Sequence, residues 1–374
     1  MGEEMRFLGM LMAEVVPCIL MATMEALTIA LTILASTVIA KGISPFVFVA
    51  YTSALSSLFL LPSLTINSSR RTLSEQEEGS LFSLPLLVRI FILGLIGVPI
   101  AQNLAFLGLS YSSPIVACAM ANLIPAISFI LNILLRRTRI DWKSGSNKIK
   151  IVGTFISIVG ALSTTFYKGP VVRKQSTHLL QLAPRLFVFM SPNEKWILGC
   201  ALFASASLSF AIWNIIQVET VKLYPDVMKI ASSYTLVGTL LTGIVALTVE
   251  RDLSAWSLKL DMTLLVIVLT AIFGSVVRSN TQIWCTKVKG SFFVPLFKPF
   301  TVPYATFCGC YFFGDTFHYG SIMGATIVGV GYYTIMWGLM REGDEKSKIL
   351  SAAANEESSE EKIPLLRDEE ESQV

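Results

Sequence analysis

The sequence predicts an all-α membrane protein, with ten transmembrane helices in two inverted five-helix repeats. Three observations carry that expectation. Hydrophobic residues make up 53% of the 374 and charged residues only 15%. An ordinary soluble domain holds about 25% charged residues, so this chain lacks the charge to cover a water-facing surface. An apolar pattern also occurs twice: 151–160 reads IVGTFISIVG and 322–331 reads IMGATIVGVG. Both open on Ile, and Gly stands third and tenth in each (Gly153, Gly160; Gly324, Gly331). Each copy follows an apolar run with a proline, Leu123-Ile124-Pro125 or Thr301-Val302-Pro303, and each closes one half of the chain. Finally, the Lys and Arg between the apolar runs are unevenly shared between the two sides of a membrane.

A spanning helix needs about 20 mostly apolar residues. Ten runs meet that need, at roughly 14–38, 45–66, 84–109, 113–135, 149–167, 196–217, 228–249, 262–285, 290–313 and 319–340. The first is open at its start, because apolar character begins at Phe7; it is too long for a cleavable signal and lacks a small-residue cleavage site. The fifth is the shortest. Pro125 predicts a kink in the fourth, with backbone carbonyls freed above it. Most connections are brief; 67–83 and 168–195 are longer and polar. The units expected are a first repeat over 1–170, a polar loop on the non-cytoplasmic side over 171–195, a second repeat over 196–341 and a disordered cytoplasmic tail over 342–374.

With the N-terminus in the cytosol, sixteen Lys and Arg fall on the cytoplasmic side and eight on the other, five of those in one long loop. The positive-inside bias therefore places both termini in the cytosol. Five spans per half then enter with opposite polarity. Inverted repeats favour alternating access around a shared site over a static pore. The sequon Asn67-Ser68-Ser69 would face the cytosol and stay bare. Arg136, Arg137 and Arg139, with Lys143, Lys148 and Lys150, read as an orientation signal in contact with anionic lipid.

Ionisable groups within a bilayer are costly and mark function by default. Glu25 lies mid-span in the first helix, with Thr28, Thr32 and Ser36 on the same face. Arg278 lies deep in the eighth span, in line with Gln282, and Lys298 lies deep in the ninth, one turn before Thr301. At 1.5 Å per residue, all three charges fall at one depth, roughly 10–15 Å from the cytoplasmic boundary. A cluster follows: Glu25 facing Lys298, Arg278 or both. Three readings of it stand. One is a fixed ion pair that holds the bundle. In another Arg278 snorkels toward the cytosol. In the third a cation receives a substrate carboxylate, while Glu25 holds an ammonium or exchanges a proton. Gln102, Asn103 and Asn122 could line the rest of a polar chamber. So could Trp213 and Gln217, one turn apart; Trp213 suits a gate, but an interfacial or packing role is the plainer reading.

The residues also carry a resemblance. Tyr111-Ser112-Ser113-Pro114, then Ala121-Asn122-Leu123-Ile124-Pro125-Ala126 and Phe129-Ile130-Leu131, resemble the plant branch of the drug/metabolite transporter superfamily. That branch is nodulin-like, EamA-type and "walls are thin"-related, and includes the "usually multiple acids move in and out" transporters. Lys41-Gly42-Ile43-Ser44, Tyr167-Lys168-Gly169-Pro170, Phe297-Lys298-Pro299, Gly314-Asp315 and Trp337-Gly338 fit the same pattern in order, over roughly 10–342. The resemblance implies ten helices in two EamA-type repeats. It implies a transporter or facilitator of small organic solutes, amino acids first, with auxin-like indolic acids or other metabolites as the alternative. Two positions depart: relatives often carry Lys where Ser36 stands, and often follow Trp-Gly with Lys where this chain has Leu339.

Other classes fit poorly. The two histidines, His178 and His318, have no acid at a spacing that suits acyl transfer or a metal, so no enzyme and no cofactor is expected. The six cysteines all lie in apolar runs and show no metal spacing. No Gly-rich Lys-Ser/Thr loop for a nucleotide is present. A receptor or scaffold would need a ligand domain or seven spans. In the tail, Glu361 precedes Leu365-Leu366 by four residues, the form of an acidic dileucine signal read by adaptor complexes. It would favour the vacuolar or an endosomal membrane over the plasma membrane.

Overall fold

The computed structural model describes residues 2–66, 84–136, 144–167, 196–224, 227–258, 261–290, 293–308 and 319–360. Its regular elements are all helical, and eight helices among the described residues are long and apolar enough to cross a membrane. A ninth apolar stretch, Pro45–Leu61, is shorter. Helix α1 runs Gly2–Ala40 through Pro17, and its membrane-length apolar part is Val15–Ala40, close to the expected 14–38. Helix α2 is Pro45–Ile66.

The third and eighth spans share an irregularity. Helix α3, Leu84–Leu95, passes through a π turn at Ile96–Ile100 into α4, Ala101–Tyr111. Later, α10, Met262–Ile272, passes through a π turn at Phe273–Val277 into α11, Arg278–Lys289. Pro99 lacks the N–H that the ladder needs, which explains the first turn. The second holds no proline. Both place a glycine second, Gly97 or Gly274.

The fourth and ninth spans are broken at matching points. Helix α5, Pro114–Ala121, stops at Asn122 and α6, Ile124–Leu134, restarts around Pro125, as the expected kink requires. The ninth span is not one helix. Four residues of α12, Phe293–Leu296, give way to a 3-10 turn at Lys298–Phe300 and then α13, Thr301–Cys308. Pro295, Pro299 and Pro303 forbid a continuous ladder through this stretch.

Helices α7, Gly145–Phe166, and α14, Tyr319–Glu360, carry the two copies of the glycine pattern and pack antiparallel against each other. A Cβ on Gly153 would lie 2.9 Å from the Gly331 carbonyl, and one on Gly331 2.8 Å from the Gly153 carbonyl. A Cβ on Gly160 would lie 3.0 Å from the Gly324 carbonyl, and one on Gly324 2.9 Å from that of Gly160. First meets last in both directions. That reciprocity is the mark of a two-fold contact between like elements. The axis that exchanges them passes between the two helices, perpendicular to both, so one copy is inverted relative to the other.

The remaining long helices are α8, Trp196–Leu223, and α9, Val227–Val249. Helix α2 packs on α9, α4 on α8, and α11 on α1.

Two expectations need correction. Helix α14 does not end at the membrane boundary near residue 341 but continues to Glu360, where a disordered tail was expected from 342. Lys150 is not free to meet lipid. Its ammonium is 1% exposed, lies 2.6 Å from Glu342 Oε2 and sits 5.2 Å above the Phe129 ring. Helix α14 continues past the expected end at 341, and this brings the Glu342 carboxylate to Lys150. The dileucine motif at Glu361, Leu365 and Leu366 lies outside the described residues.

Candidate functional site

Glu25 is enclosed by three elements that arrive by different routes. Helix α1 buries it because its neighbours Met21, Met24 and Ile29 face the core. The π turn at Phe273–Val277 makes Arg278 the first residue of α11 and turns it toward α1. The 3-10 turn of the broken ninth span presents Lys298. Lys298 Nζ lies 3.2 Å from Glu25 Oε1 and the Arg278 guanidinium lies 3.7 Å from the same oxygen. The expected cluster is thus present, with Glu25 facing both cations.

Its exposure is uneven. The Glu25 side chain is 1% exposed, whereas Lys298 is 33% and Arg278 25% exposed. Neither Glu25 oxygen has a well-directed hydrogen bond, although Oε1 has both cations at ion-pair distance. Two positive charges therefore share one carboxylate through one oxygen.

The break in the ninth span is fastened by its neighbours. Thr301 donates its hydroxyl to the Lys298 carbonyl at 2.7 Å. Tyr332 and Tyr333 of α14 donate to the carbonyls of Pro295 and Leu296, at 2.8 and 3.0 Å. These bonds satisfy carbonyls that the broken helix releases. Cys118 of α5 stands beside Thr301, Glu25 and Lys298, and Tyr332 also lies near Glu25. The sequence reading had neither Cys118 nor Tyr332. Both look like core residues in an apolar run; Cys118 reaches the charges from the broken fourth span and Tyr332 from α14.

The other expected residues divide. Thr28 and Thr32 donate their hydroxyls to their own helix, at the Met24 and Thr28 carbonyls, 2.8 Å each. Asn103 spends its amide N–H on the Pro99 carbonyl at 2.7 Å, closing the first π turn, and its Oδ1 stays buried without a partner. Trp213 packs on Gly97, where a Cβ would lie 2.6 Å from its Nε1, and edge-on to Tyr234 at 5.7 Å. Trp213 therefore meets the first π turn as Glu25 meets the residue after the second. Asn122 is buried at the gap between α5 and α6 with its Nδ2 unpartnered. Gln102, Gln217 and Gln282 are half-buried. Among the described residues, no group of three His, Cys, Asp or Glu could hold a metal ion.

Residues 16–166 match the profile of the EamA-like transporter family. The WAT1-related protein At1g70260 of Arabidopsis thaliana is 46% identical over 372 residues, spanning 96% of this chain and 98% of its own. The WAT1-related protein At1g60050 of the same plant is 45% identical over 359 residues, spanning 94% and 95%. At3g28050, another WAT1-related protein of that plant, is 33% identical over 362 residues, spanning 94% and 95%. The chain belongs to the WAT1-related proteins, a plant branch of the EamA-like drug/metabolite transporters.

Proposed function

We propose that the protein carries small solutes bearing a carboxylate, amino acids first, across the membrane by alternating access. Lys298 and Arg278 receive the carboxylate, and the halves 1–170 and 196–341 move about their inverted relationship. The observation that carries this is the surplus charge at the Glu25 cluster. Two partly exposed cations share one buried carboxylate, at a span whose backbone is broken. Broken spans at a repeat interface are where such carriers bind solute. An amino acid places its carboxylate on Lys298 and its ammonium against Glu25. Indolic acids such as auxin offer the same carboxylate and are the second reading.

The same reading keeps both termini in the cytosol. It leaves the choice between plasma and vacuolar membrane to the tail, where an adaptor complex would read Glu361, Leu365 and Leu366. Changing both leucines to alanine and imaging the protein tests that role. For transport, purified protein in liposomes is offered radiolabelled amino acids, auxin and other organic acids. We expect saturable uptake of a carboxylate solute that Lys298→Ala abolishes while the protein still inserts and folds. Normal uptake by that variant would remove the cluster from the transport path.

A further inference from the structure

We propose that Cys18 and Cys285 form a peroxide-driven disulfide that ties the two halves of the molecule together and arrests transport. The bond rests on the packing of α1 against α11. That it arrests transport rests on the reading of the halves given above.

Helices α1 and α11 pack together, and the Glu25–Arg278 ion pair fixes their register. Cys18 stands seven residues before Glu25, and Cys285 seven after Arg278. Seven residues make almost two full turns, so each cysteine shares the face of its charged neighbour. In antiparallel helices that sets one thiol opposite the other, about 10 Å along the seam from the ion pair. The two thiols are close enough to interact electrostatically, as this register requires. Both are thiols in this structure. Among the described residues the remaining cysteines stand on other helices: Cys118 on α5, Cys200 on α8 and Cys308 on α13.

Position suits the pair to oxidation. Cys18 is exposed, three residues inside the apolar part that opens at Val15. Cys285 is buried, and Lys287 and Lys289 follow it in the last turn of α11. Lysines there mark the headgroup boundary, within reach of hydrogen peroxide, a small neutral oxidant. The Cys18 sulfur, as thiolate, attacks one peroxide oxygen. The O–O bond breaks, and the hydroxide released takes up the thiol proton as water, leaving a sulfenic acid. The Cys285 sulfur then attacks the Cys18 sulfur. The S–O bond breaks, and a second water leaves with the Cys285 proton. Two thiols lose two electrons and two protons; one peroxide becomes two waters. Cys18 belongs to the half 1–170 and Cys285 to the half 196–341. Their bond spans the interface across which alternating access rocks. On a cytosolic boundary, where thiols are kept reduced, such a bond is transient and reversible.

The test treats full-length protein in liposomes with hydrogen peroxide and then with dithiothreitol. After denaturation, a maleimide-linked polymer counts thiols by gel shift, and peptide mass spectrometry maps any linked pair. We expect the six thiols of the chain to fall by two under peroxide and return with dithiothreitol. The missing two map to Cys18 and Cys285. An unchanged count, losses that dithiothreitol does not restore, a bond between any other two, or a dimer linked through Cys18 overturns the bond. Uptake is read with a radiolabelled mixture of the standard amino acids and indole-3-acetate. It should fall about tenfold once the halves are bridged and recover on reduction. Cys18→Ser and Cys285→Ala should keep their uptake under peroxide. Cys18 is exposed, so its variant carries that comparison alone if the buried one misfolds. Uptake that survives the complete bond, or is lost equally in Cys18→Ser, overturns the arrest. If the mixture is not carried even without peroxide, the function proposed above fails and the arrest with it, while the thiol count decides the bond by itself.

Discussion

At the scale of single residues, the cluster divides into the charges proposed to receive solute and the groups that hold the break in shape. Tyr332 is one of the second kind. It is buried, and its hydroxyl is the partner of the Pro295 carbonyl at 2.8 Å. Tyr332→Phe leaves that carbonyl unpaired, at a cost of about 1–3 kcal/mol. We expect a lower melting temperature and weaker solute affinity, because Lys298 sits three residues further on. An unchanged melting temperature would show that the carbonyl finds another partner. Lys150 offers a cleaner contrast, being far along the chain from the site and paired with Glu342. Lys150→Met loses the pair but fits an apolar surrounding, and Lys150→Met with Glu342→Gln should recover most of the lost stability, since replacing both partners removes the uncompensated charge. The charges at the site were legible in the sequence because ionisable residues are rare in apolar runs and their depth follows from counting. Cys118 was not legible, as a cysteine among small apolar residues gives no such contrast. Lys150 misled for a different reason. It stands at a membrane boundary, where lysine ordinarily meets lipid headgroups, and its carboxylate partner is almost two hundred residues away.

At the scale of elements, the seam between α7 and α14 is the strongest structural statement in the molecule. Each of its four paired glycines sits where a side chain would strike the backbone of the opposing helix. Flexible side chains can yield to such a clash, but backbone on a packed helix cannot. We expect Gly153→Val, whose Cβ would lie 2.8 Å from the Ile335 nitrogen, to abolish recovery of folded protein from detergent. Gly243→Ala, with nothing within 4 Å of the added carbon, should leave yield and melting unchanged. A well-folded Gly153→Val would mean that the seam is looser than its spacing indicates. The sequence announced both glycine patterns yet not that they face each other, because periodicity fixes which side of a helix is small and not which helix it meets. Pro125 announced the break in the fourth span; the break in the ninth was not read, although Pro295, Pro299 and Pro303 stand in it. The second π turn gave no signal, since it contains neither proline nor polar residue beyond Ser275, and its only trace is its matching position in the repeat.

At the scale of the whole molecule, apolar packing is concentrated toward the end of the bundle where α1 finishes. Ala35 and Val38 of α1, Phe48 of α2, and Val266 and Ile267 of α10 form one buried cluster there. The Phe48 and Phe106 rings lie 5.0 Å apart. A 3-10 turn at Leu253–Trp256 closes over them: Tyr51 donates to the Trp256 carbonyl at 2.8 Å, and the Trp256 ring meets Tyr51 edge-on at 5.8 Å. Thirteen residues of helix, about 20 Å at 1.5 Å per residue, separate Val38 from Glu25. The cations at Glu25 are partly exposed, while this end is packed by the cluster. The proposed alternating access requires this packing to open. Tyr51 and Trp256 fasten it from outside the packed cluster, so loosening them should shift the population toward opening without emptying the core. A cysteine placed at Val38, which is 3% exposed, should resist a membrane-impermeant thiol reagent in the otherwise unaltered protein. With Tyr51→Phe and Trp256→Ala added, its labelling should rise several-fold above the background set by the native cysteines. If labelling stays at background in the loosened protein while transport continues, solute must pass by another route, and this end of the bundle is fixed scaffold.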